Sequence, residues 1–389
     1  MKRKILFLTA SAGEGHNSMC KALTHFMQEY FQDVDILLYD LYKDGKQTHR
    51  KKLANWMLGR GYFYEMKFLS RYGNKKFNQL KNTDFRKKKC RLLRYNFITP
   101  VCEDAKNLLE VFKPDSIFSA HTFSGIVLND LRRTGDKNAL KAKIVTIVSD
   151  FDVAPYTELL PELDYFITPT SDFEEALVQK GIDKKKIVSL GIPTQSKFSK
   201  CIAKQEAKER LKLDVKLPVV LLMSGGLGFG NMEKLVKNLD ACKSDFQIVC
   251  VCGKNERMKK KLDNLKKHNK TTKKLTILGF SNEIDLLMSA ADLLVSKAGG
   301  LSTSEAFNKN LPIIITKKLP HQENDNCKYL TNLGATDHIT KDKFAYEIVD
   351  KLLLDEEKLN AMKDTIKKLQ RPNATRDIAQ LLYYGQLKK

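Results

Sequence analysis

The chain of 389 residues carries 68 basic and 46 acidic side chains, for a formal net charge of +22. Its length is too great for one ordinary domain and predicts two. No run of about 18 or more apolar residues occurs, so we expect no membrane-spanning helix. The eight cysteines are scattered, several of them inside apolar strands, which fits a reducing cytosol. Cys250 and Cys252 point to the same face of a predicted strand and lack metal-site partners, so we expect buried thiols there.

The first element is a predicted strand at residues 4–9, followed by a glycine-rich turn and a helix. The basic start imitates a signal peptide, but the apolar stretch is shorter than the roughly 7–15 residues that such a peptide needs. Gly13, Glu14, Gly15 and His16 occupy the turn. A histidine at the mouth of a glycine turn can act as a base or donate a hydrogen bond to phosphate. An incidental surface histidine is the alternative.

Short apolar strands and helices alternate through residues 1–198, which predicts a parallel sheet. His121 and Asp150 each come directly after one of these strands, so we expect both at its carboxyl edge. For His121, a satisfied structural histidine is an equal alternative. The predicted strands are Ile5–Thr9, Asp35–Tyr39, Ser116–Ser119, Ile144–Val148, Tyr165–Thr168 and Ile187–Leu190.

A basic and aromatic segment, residues 50–94, interrupts this half of the chain. It holds fifteen Lys and Arg against two acids, a difference of +13. Basic residues interleaved with aromatic rings suit an anionic membrane surface, where the rings lie at head-group depth. A nucleic-acid groove would use similar residues, and a solvated basic face is a third alternative. The residues expected to touch the membrane are Trp56, Phe63, Phe68, Lys87, Lys88 and Lys89.

The second half follows a linker at 193–216, which contains a predicted helix from 203 to 211. Its first strand, 219–223, runs into Ser224, Gly225 and Gly226 before another helix. Strand, glycine-rich turn and helix form the phosphate-binding geometry of doubly wound folds. No Gly-Lys-Ser/Thr follows, so the turn is not a Walker loop, and no acid ends the next strand, so a dinucleotide site fits poorly. Further strands are predicted at 247–252, 275–278, 292–295 and 312–316.

A second glycine turn follows the predicted strand at 292–295. Gly299 and Gly300 let the backbone pass close to a ligand. The hydroxyls of residues 302–304 are predicted N-caps of a helix whose first turn holds Glu305. Such a helix start offers N–H groups to a phosphate, and an acid there can accept two hydrogen bonds from a ribose diol. An ordinary capped helix without a ligand is the alternative.

Helical patterns close the chain at Phe344–Leu354, Glu357–Leu369 and Ala374–Tyr384. The alternation predicts domains at residues 1–198 and 199–370, followed by a C-terminal helical segment at 371–389. For that segment, packing back on the first domain is one option.

Several short motifs occur in a fixed order between residues near 5 and 330. They are Gly13-x-Gly15-His16, Ser119-Ala120-His121, Ser149-Asp150-Phe151-Asp152, Gly191-Ile192-Pro193, Ser224-Gly225-Gly226, Cys252-Gly253-Lys254-Asn255, Leu278-Gly279-Phe280, Lys297-Ala298-Gly299-Gly300 with Glu305-Ala306, and Gln322-Glu323 with Asn326. In this order they resemble the glycosyltransferase family of monogalactosyldiacylglycerol synthases and bacterial processive diacylglycerol glucosyltransferases. The resemblance to the lipid II-forming N-acetylglucosaminyltransferase is more distant.

The resemblance implies the GT-B fold, an α/β architecture of two Rossmann-like domains facing across a cleft. It implies inverting transfer of a hexose from a UDP-sugar to the hydroxyl of a membrane lipid, above all diacylglycerol, to form a β-glycolipid. Residues 1–198 would form the acceptor and membrane-associating domain, and residues 199–370 the UDP-sugar domain. The protein would be cytoplasmic and peripherally associated with the inner face of the cell membrane. No cofactor, metal or nucleic-acid partner is expected.

The resemblance also implies two groups of site residues. The UDP-sugar would be bound by Ser224, Gly225, Gly226, Phe280, Gly299, Gly300, Ser302, Thr303, Glu305, Gln322 and Glu323, with Phe280 at the uracil, Glu305 at the ribose, and Gln322 and Glu323 at the sugar. The acceptor side would include Gly13, Gly15 and His121. His16 is the first choice for the base, with Asp150 and Glu14 as contenders, because plant relatives carry an Asp near this turn where this chain has Ser11 or a neighbour.

Two other classes of function stay open. A sugar-nucleotide 2-epimerase shares the architecture, although its usual His-Thr-Gly-Gln segment is absent from this sequence. A non-catalytic polyanion-binding protein would rest on the basic segment and would not bind UDP. Among transferases, UDP-glucose, UDP-galactose and UDP-N-acetylglucosamine are equally compatible donors. A UDP-N-acetylglucosamine-dependent transferase acting on another lipid-linked acceptor is the alternative to diacylglycerol glycosylation.

Overall fold

The computed structural model describes residues 2–10, 14–58, 92–154, 156–223, 232–316, 322–341 and 344–387. The chain forms two compact units, one of residues 1–196, 320–322 and 371–389, the other of residues 197–319 and 323–370. Each unit contains a six-stranded sheet, and the strand pairs are parallel in both. The fold is therefore α/β with two Rossmann-like domains, as the sequence predicted.

The first unit alternates strands with helices along the chain. Its elements are β1 (Arg3–Thr9), α1 (Glu14–Tyr30), β2 (Val34–Asp40), α2 (His49–Trp56), a π-helical turn (Arg94–Ile98), α3 (Thr99–Phe112), β3 (Ser116–Ser119), α4 (Thr122–Arg133), α5 (Lys137–Lys141), β4 (Lys143–Ile147), β5 (Tyr165–Ile167), α6 (Glu174–Gln179) and β6 (Ile187–Val188). Short 3-10 turns lie at Thr157–Leu159, Ser171–Phe173, Lys184–Lys186 and, at the boundary with the second unit, Ser196–Phe198.

The first sheet has the strand order β2-β1-β3-β4-β5-β6. Leu6 of β1 lies opposite Leu37 of β2 on one side and Ile117 of β3 on the other. Residues 5–8 are fully buried, because a central parallel strand is covered on both faces and needs an unbroken apolar run. The strand order reverses between β1 and β3, and ligands of open α/β sheets bind at the carboxyl ends beside such a reversal.

The chain returns to the first unit through its last helix. This helix, α15 (Ala374–Tyr384), packs against α1, β1 and β3. Just before it, Arg371 lies against Gly191, whose φ is +93° and whose position would bring an added Cβ within 2.4 Å of the Arg371 Cβ. The Thr375 hydroxyl donates a hydrogen bond of 2.6 Å to the Thr194 carbonyl. Only glycine meets both the backbone and the space requirement at residue 191.

The second unit repeats the alternation. Its elements are α7 (Lys204–Arg210), β7 (Val219–Met223), α8 (Met232–Leu239), β8 (Gln247–Val251), α9 (Glu256–Lys267), β9 (Lys274–Leu278), α10 (Ile284–Ala290), β10 (Leu293–Ser296), α11 (Gly300–Asn308), β11 (Ile313–Ile315), α12 (Gln322–Asn332), β12 (Thr336–His338), α13 (Ala345–Leu354) and α14 (Glu356–Leu369).

The second sheet has the strand order β12-β11-β10-β7-β8-β9, which reverses between β10 and β7. The sequence patterns predicted its strands except β12, the edge strand beside β11, whose residues Thr336, Asp337 and His338 are all polar. Cys250 and Cys252 are buried free thiols, as expected. Within the described residues, no helix has the length and hydropathy needed to cross a bilayer.

Candidate active site

The carboxyl ends of β1, β3 and β4 bring His16, His121 and Asp150 together in the first unit. These strands are neighbours at the reversal of the sheet. An opening of about 60 Å³ lies there, and both histidines and Asp150 line it together with Ser149 and Asp152. Residues separated by more than a hundred positions in the sequence thus share one polar pocket, which is the usual location of a ligand in this fold.

His16 lies in the first turn of α1 and is held in one tautomer. The Thr9 hydroxyl donates to the Asn17 side-chain oxygen over 3.0 Å, which ties the start of α1 to the end of β1. The His16 Nδ1 atom is 2.7 Å from the Ala120 carbonyl oxygen. Because a carbonyl can only accept, the proton resides on Nδ1 and the lone pair on Nε2. The ring is therefore oriented to accept a proton at Nε2.

The protonation state of His16 suits the same role. Burial lowers the pKa of His16, while the Asp150 carboxylate and the hydrogen bond to the Ala120 carbonyl partly oppose that effect. The pKa therefore lies below the ordinary value of 6.5, and the imidazole is neutral at neutral pH. A neutral imidazole with a nearby carboxylate can accept a proton and have the resulting charge stabilised.

His121 adopts the opposite tautomer. It is the N-cap of α4, and its Nδ1 accepts a hydrogen bond of 3.1 Å from the Phe123 backbone N–H. Burial and the neighbouring His16 hold the pKa of His121 well below its usual range, so the ring is neutral with its proton on Nε2. The two rings meet edge to face at a centroid distance of 4.8 Å. His121 is thus both a structural cap and a lining residue that presents a donor.

The other residues predicted for this side are placed differently. Glu14 is the first residue of α1 and is exposed; as far as the structure describes the lining of the opening, Glu14 is not part of it. Gly15 is partly exposed beside His16, and Gly13 lies outside the described residues. The Ser149 hydroxyl donates to an Asp150 carboxylate oxygen over 3.4 Å. Among the three candidate bases, His16 and Asp150 share the pocket.

In the second unit, the helix after β10 begins earlier than the sequence predicted. Helix α11 starts at Gly300, with Gly299 as its N-cap and without a side-chain cap. The Gly299 carbonyl accepts the Thr303 N–H at 3.0 Å, and the Ser302 hydroxyl donates to the same carbonyl at 3.2 Å. The prediction that residues 302–304 cap the helix was therefore wrong, and Glu305 lies in the second turn rather than the first.

Exposure separates the predicted donor residues of this segment. Gly299, Ser302 and Glu305 are partly exposed, whereas Gly300 and Thr303 are buried. The Thr303 hydroxyl is buried and has no hydrogen-bond partner among the described residues. Gly299, Ser302 and Glu305 can therefore contact a ligand directly. The buried Gly300 and Thr303 support the start of the helix.

Glu305 lies beside an ion pair that the sequence did not indicate. Lys197 Nζ is 3.2 Å from an Asp285 carboxylate oxygen and donates a hydrogen bond of 2.5 Å to the Asn282 carbonyl. Burial raises the pKa of Glu305 to about 8; the Lys197 charge opposes this increase and the Asp285 charge adds to it. Phe280, two residues before Asn282 in the sequence, has 67% of its surface exposed, so its aromatic ring is open to solvent.

A second ion pair joins Lys297, which follows β10, to Glu323 at the start of α12. Lys297 Nζ is 2.6 Å from the Glu323 Oε1 atom. Glu323 Oε2 is buried and accepts no hydrogen bond from the described residues. One turn further along α12, the Asn326 side-chain amide donates to the Ala298 carbonyl over 2.7 Å. The start of α12 is thereby attached to the turn after β10.

Several residues of the predicted site fall outside the described part of the chain. They are Ser224, Gly225 and Gly226, and, from the basic segment, Phe63, Phe68, Lys87, Lys88 and Lys89. The backbone of Gln322 begins α12, but its side chain is not among those described. Among the described residues, no three His, Cys, Asp or Glu side chains group as metal ligands would; independence from metal stays a prediction.

Sequence inspection missed the roles of Lys197 and Lys297. Lys197 lies in the stretch between the two sheets, where nothing marks it out from the many other lysines of the chain. Lys297 had a usable signal, because a lone charge between a buried strand and a glycine pair is costly unless it is paired. The partner, Glu323, is 26 positions away in the sequence, so the pairing itself required the fold.

Two family models match the chain and together cover most of it. The model described as monogalactosyldiacylglycerol (MGDG) synthase matches residues 16–194. The model described as the glycosyltransferase family 28 C-terminal domain matches residues 219–382. A relative from Bacillus cereus (strain B4264), named processive diacylglycerol beta-glucosyltransferase, is 29% identical over 376 residues, which make up 95% of this chain and 90% of the relative.

Solved structures share the architecture. HepE from Anabaena, in complex with UDP, is 14% identical with a TM-score of 0.55, and the match covers 98% of this chain and 99% of that chain. The UDP-GlcNAc 2-epimerase from Neisseria meningitidis, bound to UDP-GlcNAc, is 14% identical with a TM-score of 0.60 and covers the same shares. At such identities the likeness shows the fold alone.

The two parallel sheets and the two matched domains define a glycosyltransferase of the GT-B class. The catalytic activity is that of a UDP-sugar-dependent hexosyltransferase. More narrowly, the chain is similar to monogalactosyldiacylglycerol synthases over residues 16–194 and to a processive diacylglycerol beta-glucosyltransferase over 95% of its length, the resemblance that its motifs indicated.

Proposed function

We propose that this enzyme transfers a hexose from a UDP-sugar to the hydroxyl of diacylglycerol, with inversion, to give a β-glycolipid. The observation that carries the proposal is the neutral, oriented His16 beside Asp150 at the end of β1. The relative named processive diacylglycerol beta-glucosyltransferase supports the choice of acceptor. In this proposal the first unit binds the acceptor and the second binds the UDP-sugar.

His16 is the general base of the proposed reaction. Its Nε2 takes the proton of the acceptor hydroxyl while the acceptor oxygen forms a bond to the anomeric carbon. The bond from that carbon to the β-phosphate oxygen breaks, and its electron pair leaves with UDP. Asp150 stabilises the imidazolium that forms, and the His121 Nε2–H donates to an acceptor oxygen. A single displacement of this kind inverts the anomeric centre, and general-base assistance contributes about 10²–10⁴ to its rate.

The donor is held by residues of the second unit. Glu305 accepts hydrogen bonds from the ribose hydroxyls, and Phe280 offers its exposed ring to the uracil. The start of α11 presents backbone N–H groups to the diphosphate, where a helix dipole favours negative charge. Gln322 and Glu323, at the start of α12, contact the sugar. The glycine turn at 224–226 completes the diphosphate site in this proposal.

The lipid acceptor would be reached at an anionic membrane surface. At the end of α2, Leu53, Trp56 and the C-cap residue Met57 have 55%, 51% and 37% of their surface exposed, and their spacing places them on one face. The Arg50 guanidinium lies 4.2 Å from the centre of the Tyr95 ring, and 62% of Tyr95 is exposed. An apolar face bordered by cations suits shallow insertion among anionic head groups.

The decisive experiment is a product screen. Purified protein is incubated with UDP-glucose, UDP-galactose or UDP-N-acetylglucosamine and with vesicles that contain diacylglycerol, and the lipid products are identified by mass spectrometry. We expect a hexosyl-diacylglycerol whose anomeric proton shows a β linkage by NMR. An α linkage contradicts inversion, and a product formed only on another lipid-linked acceptor contradicts diacylglycerol.

A reaction without acceptor provides the matched control. The shared fold of the UDP-GlcNAc 2-epimerase makes epimerisation the second candidate. An epimerase converts UDP-N-acetylglucosamine in the absence of lipid, whereas the proposed transferase needs the acceptor for turnover. Formation of an epimer without lipid would therefore replace the proposed function.

A further inference from the structure

The ion pair between Lys297 and Glu323 lies at the start of a helix assigned to the donor. Lys297 follows β10 directly, and its side chain turns back over the N-cap of α11. A Cβ added to Gly299 would lie 3.7 Å from the Lys297 Cε and 3.9 Å from its Nζ. The ammonium thus lies at the positively polarised end of the helix, where the cation and the helix dipole repel each other but both attract an anion.

The Glu323 carboxylate uses only part of the hydrogen-bonding capacity of the Lys297 ammonium. Glu323 Oε1 lies 2.6 Å from Lys297 Nζ, and the side chains remain 32% exposed for Lys297 and 16% exposed for Glu323. An ammonium has three N–H donors, and within the part of the chain that the structure describes the ion pair with Glu323 uses one of them. Lys297 therefore keeps both solvent access and donors while it is held in place.

The second carboxylate oxygen of Glu323 takes no part in the ion pair. Its Oε2 is buried without a hydrogen-bond partner among the described residues, which is unfavourable for a carboxylate unless a ligand supplies a donor. The attachment of Asn326 to the Ala298 carbonyl holds α12 in position, so Glu323 cannot turn away without breaking that contact. The pair therefore holds the Lys297 ammonium at the start of α11.

We propose that Lys297 binds the β-phosphate of the donor nucleotide and stabilises the charge that develops on it, with Glu323 as the counter-ion that holds the ammonium in the free enzyme. This role rests on the proposed function. As the bond from the anomeric carbon to the β-phosphate oxygen breaks, the electron pair moves onto that oxygen, and Lys297 donates a hydrogen bond to it. No proton is transferred in this step.

The charge of the ligand distinguishes this role from sugar recognition. A neutral sugar gains little from an ammonium, whereas a phosphate gains a charge-assisted hydrogen bond. The contribution of Lys297 should therefore appear with UDP, decrease with UMP, which lacks the β-phosphate, and vanish with uridine.

Titration calorimetry of Lys297→Met with UDP, UMP and uridine tests the proposal. We expect UDP affinity to fall about tenfold or more, UMP affinity to fall less, and uridine affinity to stay unchanged. Lys297→Arg should keep most of the UDP affinity because it keeps the charge. Lys328→Met is the matched control, since Lys328 lies on the same helix as Glu323 with 61% of its side chain exposed, and it should bind all three ligands as wild type does.

Two further variants separate binding from folding. Lys297→Met leaves the Glu323 carboxylate buried without its counter-ion, which can destabilise the unit. The double variant Lys297→Met with Glu323→Gln removes both charges and should fold while it still shows the selective loss of UDP affinity. Glu323→Gln alone should bind UDP as tightly as wild type or a few-fold more tightly, because the ammonium is no longer shared.

The outcomes are distinct for the two proposals. Equal UDP affinity of Glu323→Gln and the folded double variant overturns the role of Lys297 and leaves the proposed transferase intact. An equal loss with UDP, UMP and uridine also overturns it, since the effect would then not follow the β-phosphate. Wild-type protein that does not bind UDP overturns both.

Discussion

Glu305 offers a test of the donor site through its ionisation. Burial raises its pKa to about 8. A carboxyl group with this pKa is about one-tenth ionised at pH 7 and about three-quarters ionised at pH 8.5. The ionised form appears as pH rises through the pKa, and a carboxylate is the stronger acceptor for two ribose hydroxyls. Affinity for UDP that depends on Glu305 should therefore increase with pH.

The perturbation is Glu305→Gln, which keeps the shape of the side chain and removes its titration. For an ionised form that binds about 1.5–3 kcal/mol better than glutamine, the ratio of wild-type to variant affinity is about 1–3 at pH 6 and about 10–120 at pH 8.5. The titration of UDP itself cancels in this ratio because both proteins bind the same ligand.

Titration calorimetry between pH 6 and 8.5 measures the ratio. Repeating the titration near pH 7 in two buffers of different ionisation enthalpy should show that wild type releases about 0.5–0.9 proton more per UDP than the variant, because the same 1.5–3 kcal/mol lowers the pKa of Glu305 in the complex. Asp285→Asn removes a charge that raises the pKa of Glu305, so the inflection should move to lower pH. A ratio of one at pH 8.5 would remove Glu305 from the ribose, and a large ratio without pH dependence would refute the raised pKa.

Three further predictions concern the base, the membrane face and the fold. His16→Ala should lower kcat by about 10²–10⁴ with little change in donor KM. Near wild-type turnover of this variant would assign the base role to Asp150. The acidic limb of the wild-type pH–rate profile should lie below pH 6.5, because burial lowers the pKa of His16. Trp56→Ser should reduce sedimentation of the protein with anionic vesicles. Val111→Ser is the control, because Val111 is 82% exposed but lies outside the face of Leu53, Trp56 and Met57, and it should sediment as wild type does. Equal losses in the two variants would contradict a specific docking face. Gly191→Ala should lower the free energy of unfolding, measured in urea, by at least about 2 kcal/mol, because of strain at positive φ and the contact with Arg371. Gly181 is the control, since it also has a positive φ but no described atom lies within 4 Å of an added Cβ. Gly181→Ala should therefore lower the stability less.

Most strands of the two sheets were readable from the sequence. Buried parallel strands need continuous apolar runs, so Val219–Met223 and Gln247–Val251 stood out where the structure has β7 and β8. Glycine-rich turns directly after such strands are typical of phosphate sites in α/β proteins, and their order along the chain indicated the family. The edge strand β12 was missed because three polar residues carry almost no periodic signal.

The start of α11 shows where local reasoning fails. Ser and Thr before an apolar run predict N-caps, yet the same hydroxyls can donate backwards to a carbonyl inside the first turn. Ser302 does the latter, because the Gly299 carbonyl is already the first acceptor of the helix. The direction of the backbone between β10 and residue 299 decides whether the Ser302 hydroxyl caps the helix or donates to the Gly299 carbonyl.

The chemical state of the site was decided only by tertiary structure. The sequence placed His16, His121 and Glu305 in turns that suit a ligand, and it determined which groups were available. The Ala120 carbonyl, which follows a different strand from the one before His16, sets the tautomer of His16. The tautomer of His121 is set locally, by the Phe123 N–H two residues away in the same N-cap. Lys197 and Asp285 act on Glu305 through space. The tautomer of His16 and the pKa values depend on burial and on neighbours brought together by folding, and neither is encoded in the spacing of residues along the chain.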